Sequence, residues 1–163
     1  MDDEGGTWEP RTDFELGVVL AAPAAPAAPV ANYVACVRTG ELVWLSGHGP
    51  VRADGTYWSG KVGEDLTIDE AREAARLTAL QLLSSLRLEI GSLDGVRRIV
   101  KVFGMVNCAP GFRQTPDVID GCSDLLVQIF GDDVGRHARS AVGMAELPYN
   151  IAMEIEMVCE VGS

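Results

Sequence analysis

The segment RSAVGMAELPYNIAMEIE, residues 139–156, predicts two β-strands joined by a turn that contains Pro148. Arg139 opens the first strand, and Glu154 and Glu156 lie on the second. An antiparallel return would bring the guanidinium close to these carboxylates on one face of a sheet. A cation fixed beside a proton acceptor suits the binding and conversion of a small carboxylate substrate.

The second strand continues to Val161 and has the most regular pattern in the chain. Apolar residues fill the odd positions from Met153 to Val161, and glutamate fills positions 154, 156 and 160. Side chains alternate between the two faces of a strand, so this period of two predicts one core face and one polar face. The core face needs a cover, which two predicted helices supply.

Both helices have recognisable ends in the sequence. Thr67 and Glu70 have the spacing of a capping box, and Gly91 is a natural C-terminal stop. Thr115 precedes a proline, a residue well tolerated in the first turn, and Gly131 predicts the end of this second helix. Apolar residues recur at helical spacing along both segments.

Three further strands are predicted. Residues 33–39 and 42–47 form a hairpin around a Thr-Gly pair, and residues 96–106 form a strand between the two helices. The order is therefore two strands, a helix, a strand, a helix and two strands, with a turn-rich region at residues 50–62. This order predicts an α+β fold in which one sheet carries both helices on the same face.

The chain length of 163 residues fits one domain. We assign residues 1–28 to an acidic N-terminal extension with an Ala/Pro-rich lead-in, and residues 29–163 to a single domain. Proline recurs at every third position of AAPAAPAAP, residues 21–29, which predicts an extended polyproline II backbone there.

Composition argues against several classes of partner. The formal net charge is -11 and no basic stripe is visible, so we expect no nucleic-acid partner. The four cysteines lack CxxC spacing, and we expect no metal site. No apolar run is long enough to span a bilayer and the acidic N-terminus has no signal-peptide features, so we expect no membrane partner and a cytoplasmic location.

Small side chains follow Arg139 along its strand. Ala141, Gly143 and Ala145 share its face by alternation, and His137 precedes it on that face. Small residues cannot shield a sheet but permit close approach, so we expect an open face that contacts another subunit. His137 has two interpretations, an anion-binding group or a solvated or paired histidine.

Four segments in this order resemble the reactive intermediate deaminase (Rid, or YjgF-type) family. The spacing from arginine to proline to glutamate in the last of them is the most specific feature. The resemblance runs from about residue 29 to residue 161, and the chain is most similar to a divergent RidA-like subgroup. The segments are Asn32-Tyr33-Val34, Leu45-Ser46-Gly47, the helix at 67–90, and Ala138-Arg139-Ser140 through Leu147-Pro148 to Glu154-Ile155-Glu156.

The resemblance implies a chorismate mutase-like fold, a mixed sheet with two helices on one face. It also implies a homotrimer with clefts between subunits. Active family members hydrolyse small enamine or imine intermediates to 2-oxo acids and ammonia, as does a 2-iminobutanoate/2-iminopropanoate deaminase. An imine is already electrophilic, so such an enzyme needs mainly to orient the substrate and a water, with no cofactor.

The resemblance also assigns roles to residues. Arg139 would hold the substrate carboxylate and Glu154 would activate the attacking water. Tyr33 would line the pocket, and the backbone at Ser46 and Gly47 would help to seat the ligand. His48 stands where the family usually has glutamine, and it is either a ligand-binding or proton-transferring group or a turn histidine without chemistry.

Two departures from the family pattern keep other functions open. Active deaminases usually have cysteine where this chain has Ala141, and the family's asparagine on the second helix has no clear match, since Ser123 or Asp124 lies near that position. The alternative is a non-catalytic trimeric protein that binds or senses a small carboxylate. A weaker alternative is an endoribonuclease, which the acidic charge disfavours.

Overall fold

The computed structural model describes residues 31–162. Five strands and two long helices make up this part of the chain, and two short 3₁₀ helices lie in its connections. The extension at residues 1–28 and its polyproline segment lie outside the described residues and stay predictions. The elements are β1 (Cys36–Thr39), β2 (Leu42–His48), α1 (Ile68–Ile90), β3 (Val96–Asn107), α2 (Thr115–Gly135), β4 (Ala138–Met144) and β5 (Met153–Val161).

The five strands form one mixed sheet in the order β1-β2-β5-β3-β4. Neighbouring strands are antiparallel except β3 and β4, which run parallel because α2 carries the chain back before β4 begins. The last strand, β5, inserts between β2 and β3. The prediction that the strands of segment 139–156 pair with each other was wrong, because β3 separates them.

Both helices pack on one face of this sheet. α1 contacts β2 and β5, and α2 contacts β3 and β4. Odd-numbered side chains of β5 belong to the resulting core, in which Met153, Ile155 and Cys159 are fully buried. The predicted α+β fold with two helices on one face is therefore confirmed. We call that face the helix face and the opposite one the open face.

The ends of α1 are those that the sequence predicts. The Thr67 backbone N–H donates to Glu70 Oε2 at 2.9 Å, and the Glu70 N–H donates to Thr67 Oγ1 at 3.3 Å. At the other end Gly91 has a φ of 84°, a conformation that glycine adopts without steric cost. Local sequence is therefore sufficient to define this helix.

The second helix departs from its predicted end. Gly131 has φ 76° and ψ 174° and interrupts α2, but another turn follows and the helix ends at Gly135. The predicted stop is thus a kink. The added turn places the Gly135 carbonyl 2.7 Å from Nδ1 of His137, next to the start of β4.

A glycine allows α1 and α2 to approach closely. A Cβ built on Gly121 would lie 2.8 Å from the carbonyl carbon of Arg72, which is backbone and cannot rotate away. We therefore expect Gly121→Ala to lower the free energy of unfolding in urea by about 1–3 kcal/mol, the usual cost of overpacking. Gly95→Ala is the control, since the nearest atom to its Cβ would be 3.8 Å away. Equal losses in the two variants would contradict this account.

Candidate active site

At one end of the open face, a carboxylate lies directly over a glycine. A Cβ on Gly47 would be 2.7 Å from Cγ of Glu154, so the acidic side chain occupies the space that any other residue would fill. Gly47 is the next-to-last residue of β2, before His48, and Glu154 lies near the start of β5. The structure thus brings Gly47 and the Glu154 carboxylate together.

The Glu154 carboxylate is half-buried. Burial raises its pKa above the ordinary value, and the negative charge of Glu156 raises it further. Among residues 31–162, no group forms a hydrogen bond or ion pair with this carboxylate. A carboxylate with a raised pKa and free lone pairs is suited to accept a proton from water.

Ser46 precedes Gly47 in β2 and bonds to the two residues that follow Tyr33. The Ser46 hydroxyl donates to the Val34 carbonyl at 2.7 Å, and its backbone N–H donates to the Ala35 carbonyl at 2.9 Å. These bonds attach residues 31–35 to β2 and leave the Tyr33 side chain 47% exposed. We call Ser46, Gly47 and Glu154 the Glu154 group.

His48 does not belong to this group, which corrects its prediction as a ligand-binding residue. Its ring is buried on the helix face, where Nδ1–H donates to the Ser46 carbonyl at 2.7 Å and Nε2 accepts from the Ser85 hydroxyl at 2.6 Å. A β-bulge between Leu45 and His48 shifts the alternation by one residue. Gly47 inside the strand is a signal for a bulge, but simple alternation does not use it and assigns His48 to the wrong face.

Burial of His48 has a consequence for stability. Burial lowers its pKa below 6.5, with the bond to Ser46 opposing this, so the unfolded chain binds the proton more readily. The free energy of unfolding should therefore fall as the pH drops below 6.5, by up to about 1.4 kcal/mol per pH unit from one such group. We expect His48→Asn to remove this component. Urea unfolding of the wild type and of His48→Asn between pH 7.5 and 5 tests this expectation. The same pH dependence of the free energy of unfolding in both proteins would contradict it.

Arg139 lies on the helix face, and the prediction that it faces the glutamates on one sheet face was wrong. It stands beside Val102 of β3, which stands beside Met157 of β5, and both of these side chains are buried in the core. Glu154 instead stands beside Met105, whose side chain shares the open face. The two predicted catalytic side chains therefore project from opposite sides of the sheet.

The row of small residues after Arg139 is also on the helix face. Ala141 packs against the hydrophobic core, and a Cβ on Gly143 would lie 3.2 Å from the Cys108 sulfur. The prediction that this row forms an open face was wrong, because the parallel register with β3 turns it toward the helices. Small residues here make room for Cys108 and Thr115.

Around Arg139 the structure gathers polar side chains from α2 and β4. Nη1 of Arg139 donates to Oδ1 of Asp120 at 2.7 Å and to the Ser123 hydroxyl at 3.0 Å, and the Arg139 side chain stays 24% exposed. The Ser123 hydroxyl also lies 3.0 Å from Nε2 of His137. We call Asp120, Ser123, His137 and Arg139 the Arg139 group.

Sequence reasoning missed Asp120 and left Ser123 and Asp124 as alternatives. The structure separates them, since Ser123 contacts Arg139 whereas Asp124 pairs with Arg72 of α1 at 2.9 Å. The signal that could have found Asp120 is the acidic stripe at positions 117, 120 and 124, whose spacing places all three on one side of α2.

Between residues 31 and 162, no three His, Cys, Asp or Glu side chains lie close enough together to hold a metal ion. In the same range, neither helix combines the length and the apolar character needed to cross a membrane.

Comparisons with known proteins agree with this architecture. The profile of the family described as "YjgF/chorismate mutase-like, putative endoribonuclease" matches residues 16–161. Protein TCP17 of Trypanosoma cruzi is 42% identical over 148 residues, which cover 91% of both chains. A crystal structure described as "a putative endoribonuclease" from Shewanella oneidensis superposes with a TM-score of 0.85 at 28% identity, covering 93% of this chain and 100% of that chain.

A second solved structure is similar over most of its length. The protein Atu1372 from Agrobacterium tumefaciens, described as having unknown function, superposes with a TM-score of 0.78 at 38% identity. The match covers 83% of this chain and 87% of that chain. The family profile spans well over half of the sequence, and the curated relative is similar over nearly all of it. This chain therefore belongs to the YjgF/chorismate mutase-like family.

Proposed function

We propose that this protein is a cytoplasmic, homotrimeric hydrolase that converts small imino acids, and the enamines that tautomerise to them, into 2-oxo acids and ammonia. The observation that carries the proposal is the unpartnered, half-buried Glu154 carboxylate over Gly47. Glu154 lies on the open face, whereas Arg139 lies on the helix face at the edge strand β4. One chain therefore carries the two halves of a site on opposite faces, and we call these halves the half-sites. Two copies can bring these halves together at one cleft.

Exposed apolar side chains on the open face favour such an assembly. Val37 and Trp44 stand opposite each other on β1 and β2, and each is 53% exposed. Large exposed apolar residues that cluster mark contact surfaces. A cyclic trimer uses a heterologous contact, in which a different surface of each copy meets the next, as joining the two half-sites requires.

The chemistry needs one cation and one base. Arg139 of one copy binds the substrate carboxylate by two N–H groups. Glu154 of the next copy takes a proton from water, the water oxygen bonds to the iminium carbon, and the C=N π electrons move to nitrogen. The protonated Glu154 then gives its proton to the amine of this carbinolamine. Ammonia leaves with the C–N electron pair while the hydroxyl proton returns to Glu154 and the C=O bond forms. Glu154 then passes this proton to the released ammonia or to solvent, which regenerates its carboxylate.

The electrostatics of the Glu154 group suit this cycle. The same carboxylate must accept a proton in one step and donate it in the next, which is most efficient when its pKa is raised toward the working pH. Burial and the charge of Glu156 both raise it. Glu154 has no ion pair among residues 31–162 that would oppose this effect.

The test is ammonia release from 2-iminopropanoate and 2-iminobutanoate generated in the assay. We expect turnover above the uncatalysed rate and its loss in Arg139→Ala. Glu154→Gln should lose turnover as well, and Glu160→Gln is its matched control, since Glu160 is a carboxylate on the same strand but lies beside Leu42, away from the Glu154 group. A rate equal to background for every imino acid, or equal rates for wild type and Arg139→Ala, would reject the proposal.

A non-catalytic carboxylate sensor is the second candidate. It is favoured by Ala141, which stands on the face of Arg139 where active deaminases usually have cysteine. A sensor would show a rise in melting temperature with 2-oxo acids and no ammonia release, because a ligand stabilises any folded state that it binds.

An endoribonuclease is the third candidate, and it rests on the family description and on the printed description of the Shewanella oneidensis structure. The net charge of -11 opposes it, because RNA binding depends on contacts from basic residues to phosphates. RNA cleavage that persists through purification and disappears in Glu154→Gln would favour this candidate over the hydrolase.

A further inference from the structure

The Arg139 guanidinium is held by one of its two terminal nitrogens. Nη1 carries two hydrogens, and the structure gives it two acceptors, Oδ1 of Asp120 at 2.7 Å and the Ser123 hydroxyl at 3.0 Å. Nε and Nη2 donate to no other residue in the range 31–162. These two nitrogens form one edge of the planar group, the edge that can bind both oxygens of a carboxylate.

The hydrogen of Ser123 has a defined direction. The Gly135 carbonyl can only accept, so Nδ1 of His137, 2.7 Å away, carries the ring hydrogen. In the neutral ring Nε2 is then an acceptor, and it lies 3.0 Å from the Ser123 oxygen, which donates to it. The lone pairs of this oxygen are thereby left to accept from Arg139. Burial lowers the pKa of His137, which keeps the ring neutral.

We propose that Asp120 and Ser123, the latter oriented by His137, are positioning residues that fix the Arg139 guanidinium with its Nε–Nη2 edge free for a substrate carboxylate. This inference rests on the proposed role of Arg139 in the hydrolase. Asp120 is itself held from the other side, since Nη1 of Arg72 lies 3.7 Å from its Oδ2. An arginine fixed in this way loses less side-chain freedom when the ligand binds.

The structure offers a matched control. Asp124 lies one turn along α2 from Asp120 and pairs with the same Arg72, at 2.9 Å, but it makes no contact with Arg139. Asp124→Asn therefore removes a similar surface charge and leaves the hydrogen bonds of the Arg139 guanidinium intact. Asp120→Asn keeps a side-chain oxygen that can accept from Nη1 of Arg139, whereas Asp120→Ala removes this acceptor.

The first measurement needs no ligand. In ¹⁵N-arginine-labelled protein, a guanidinium held at Nη1 rotates slowly about its Nε–Cζ bond and gives separate Nη signals. We expect resolved signals for Arg139 in the wild type, Asp124→Asn and Asp120→Asn, and averaged signals in Asp120→Ala. Signals that are averaged in the wild type, or that stay resolved in Asp120→Ala, would overturn the inference.

The second measurement is the affinity for pyruvate by calorimetry, alongside KM and kcat for 2-iminopropanoate. We expect Asp120→Ala and Ser123→Ala to raise Kd and KM about three- to tenfold with kcat nearly unchanged, since each frees one rotamer-rich side chain. Asp120→Asn and Asp124→Asn should stay near wild type. If Arg139→Ala abolishes pyruvate binding but Asp120→Ala does not weaken it, the positioning inference fails alone. If Arg139→Ala leaves pyruvate binding unchanged, the proposed function fails instead.

Discussion

Mixing two inactive variants, Arg139→Ala and Glu154→Gln, should restore about a quarter of the wild-type hydrolase activity once their subunits exchange in a cyclic trimer. Each proposed site takes Arg139 from one copy and Glu154 from the next, because the two side chains project from opposite faces of the sheet. In a random mixture, about one neighbouring pair in four combines an intact Arg139 with an intact Glu154. Each variant alone contains no intact pair.

The measurement is ammonia release before and after a cycle of mild denaturation and refolding that exchanges subunits. Unexchanged mixtures of the same composition are the control and should stay inactive. A second control mixes wild type with the double variant Arg139→Ala/Glu154→Gln. Here a shared site again predicts about a quarter of full activity, whereas a site within one chain predicts about a half. No recovery in the first mixture, together with half activity in the second, would show that the two half-sites do not meet.

Glu154→Gln should reduce kcat by about 10²–10⁴, the range expected when a general base is lost, and should at the same time stabilise the fold. Glutamine has a similar shape but carries no charge that burial or Glu156 can disfavour. We expect the melting temperature at pH 7.5 to rise by about 1–2 °C, as a gain of roughly half a kcal/mol would give in a chain of this size.

The pH dependence of this gain identifies its cause. The raised pKa of Glu154 means that the folded protein binds the proton more tightly than the unfolded chain. The charge of Glu154 therefore destabilises the fold to its full extent at pH values above the folded-state pKa. This destabilisation disappears below pH 4.5, where the carboxyl is protonated in both the folded and the unfolded state. Melting curves of the two proteins should converge as the pH falls through this window. A constant difference at all pH values would assign the gain to packing instead.

The helix face around β4 shows most clearly where sequence reasoning failed. Alternation correctly places Arg139, Ala141 and Gly143 on one face. It carries no information about which face that is, because no residue of β4 is fully buried and each is either exposed or of intermediate burial. The register with β3 decides it, and that register follows from the parallel crossover through α2.

The predicted position of His48 was wrong for a different reason. A single bulge between Leu45 and His48 exchanges the faces of the last two residues of β2, so that Gly47 meets Glu154 while the imidazole enters the core. A slip of one residue in a strand moves every following side chain to the other face. The bulge is stabilised by contacts with β5 and with Ser85 of α1, which are distant in sequence.

Sequence alone determined the features that depend on neighbouring residues. These are the capping box at Thr67, the stop at Gly91, the core alternation of β5, and the family to which the chain belongs. Tertiary structure alone decided that β5 enters between β2 and β3, that Arg139 is bound by Asp120, and that the two half-sites lie on opposite faces. The reason is that caps and alternation arise from local hydrogen bonds and backbone geometry, whereas strand order and register arise from contacts between residues far apart in the chain.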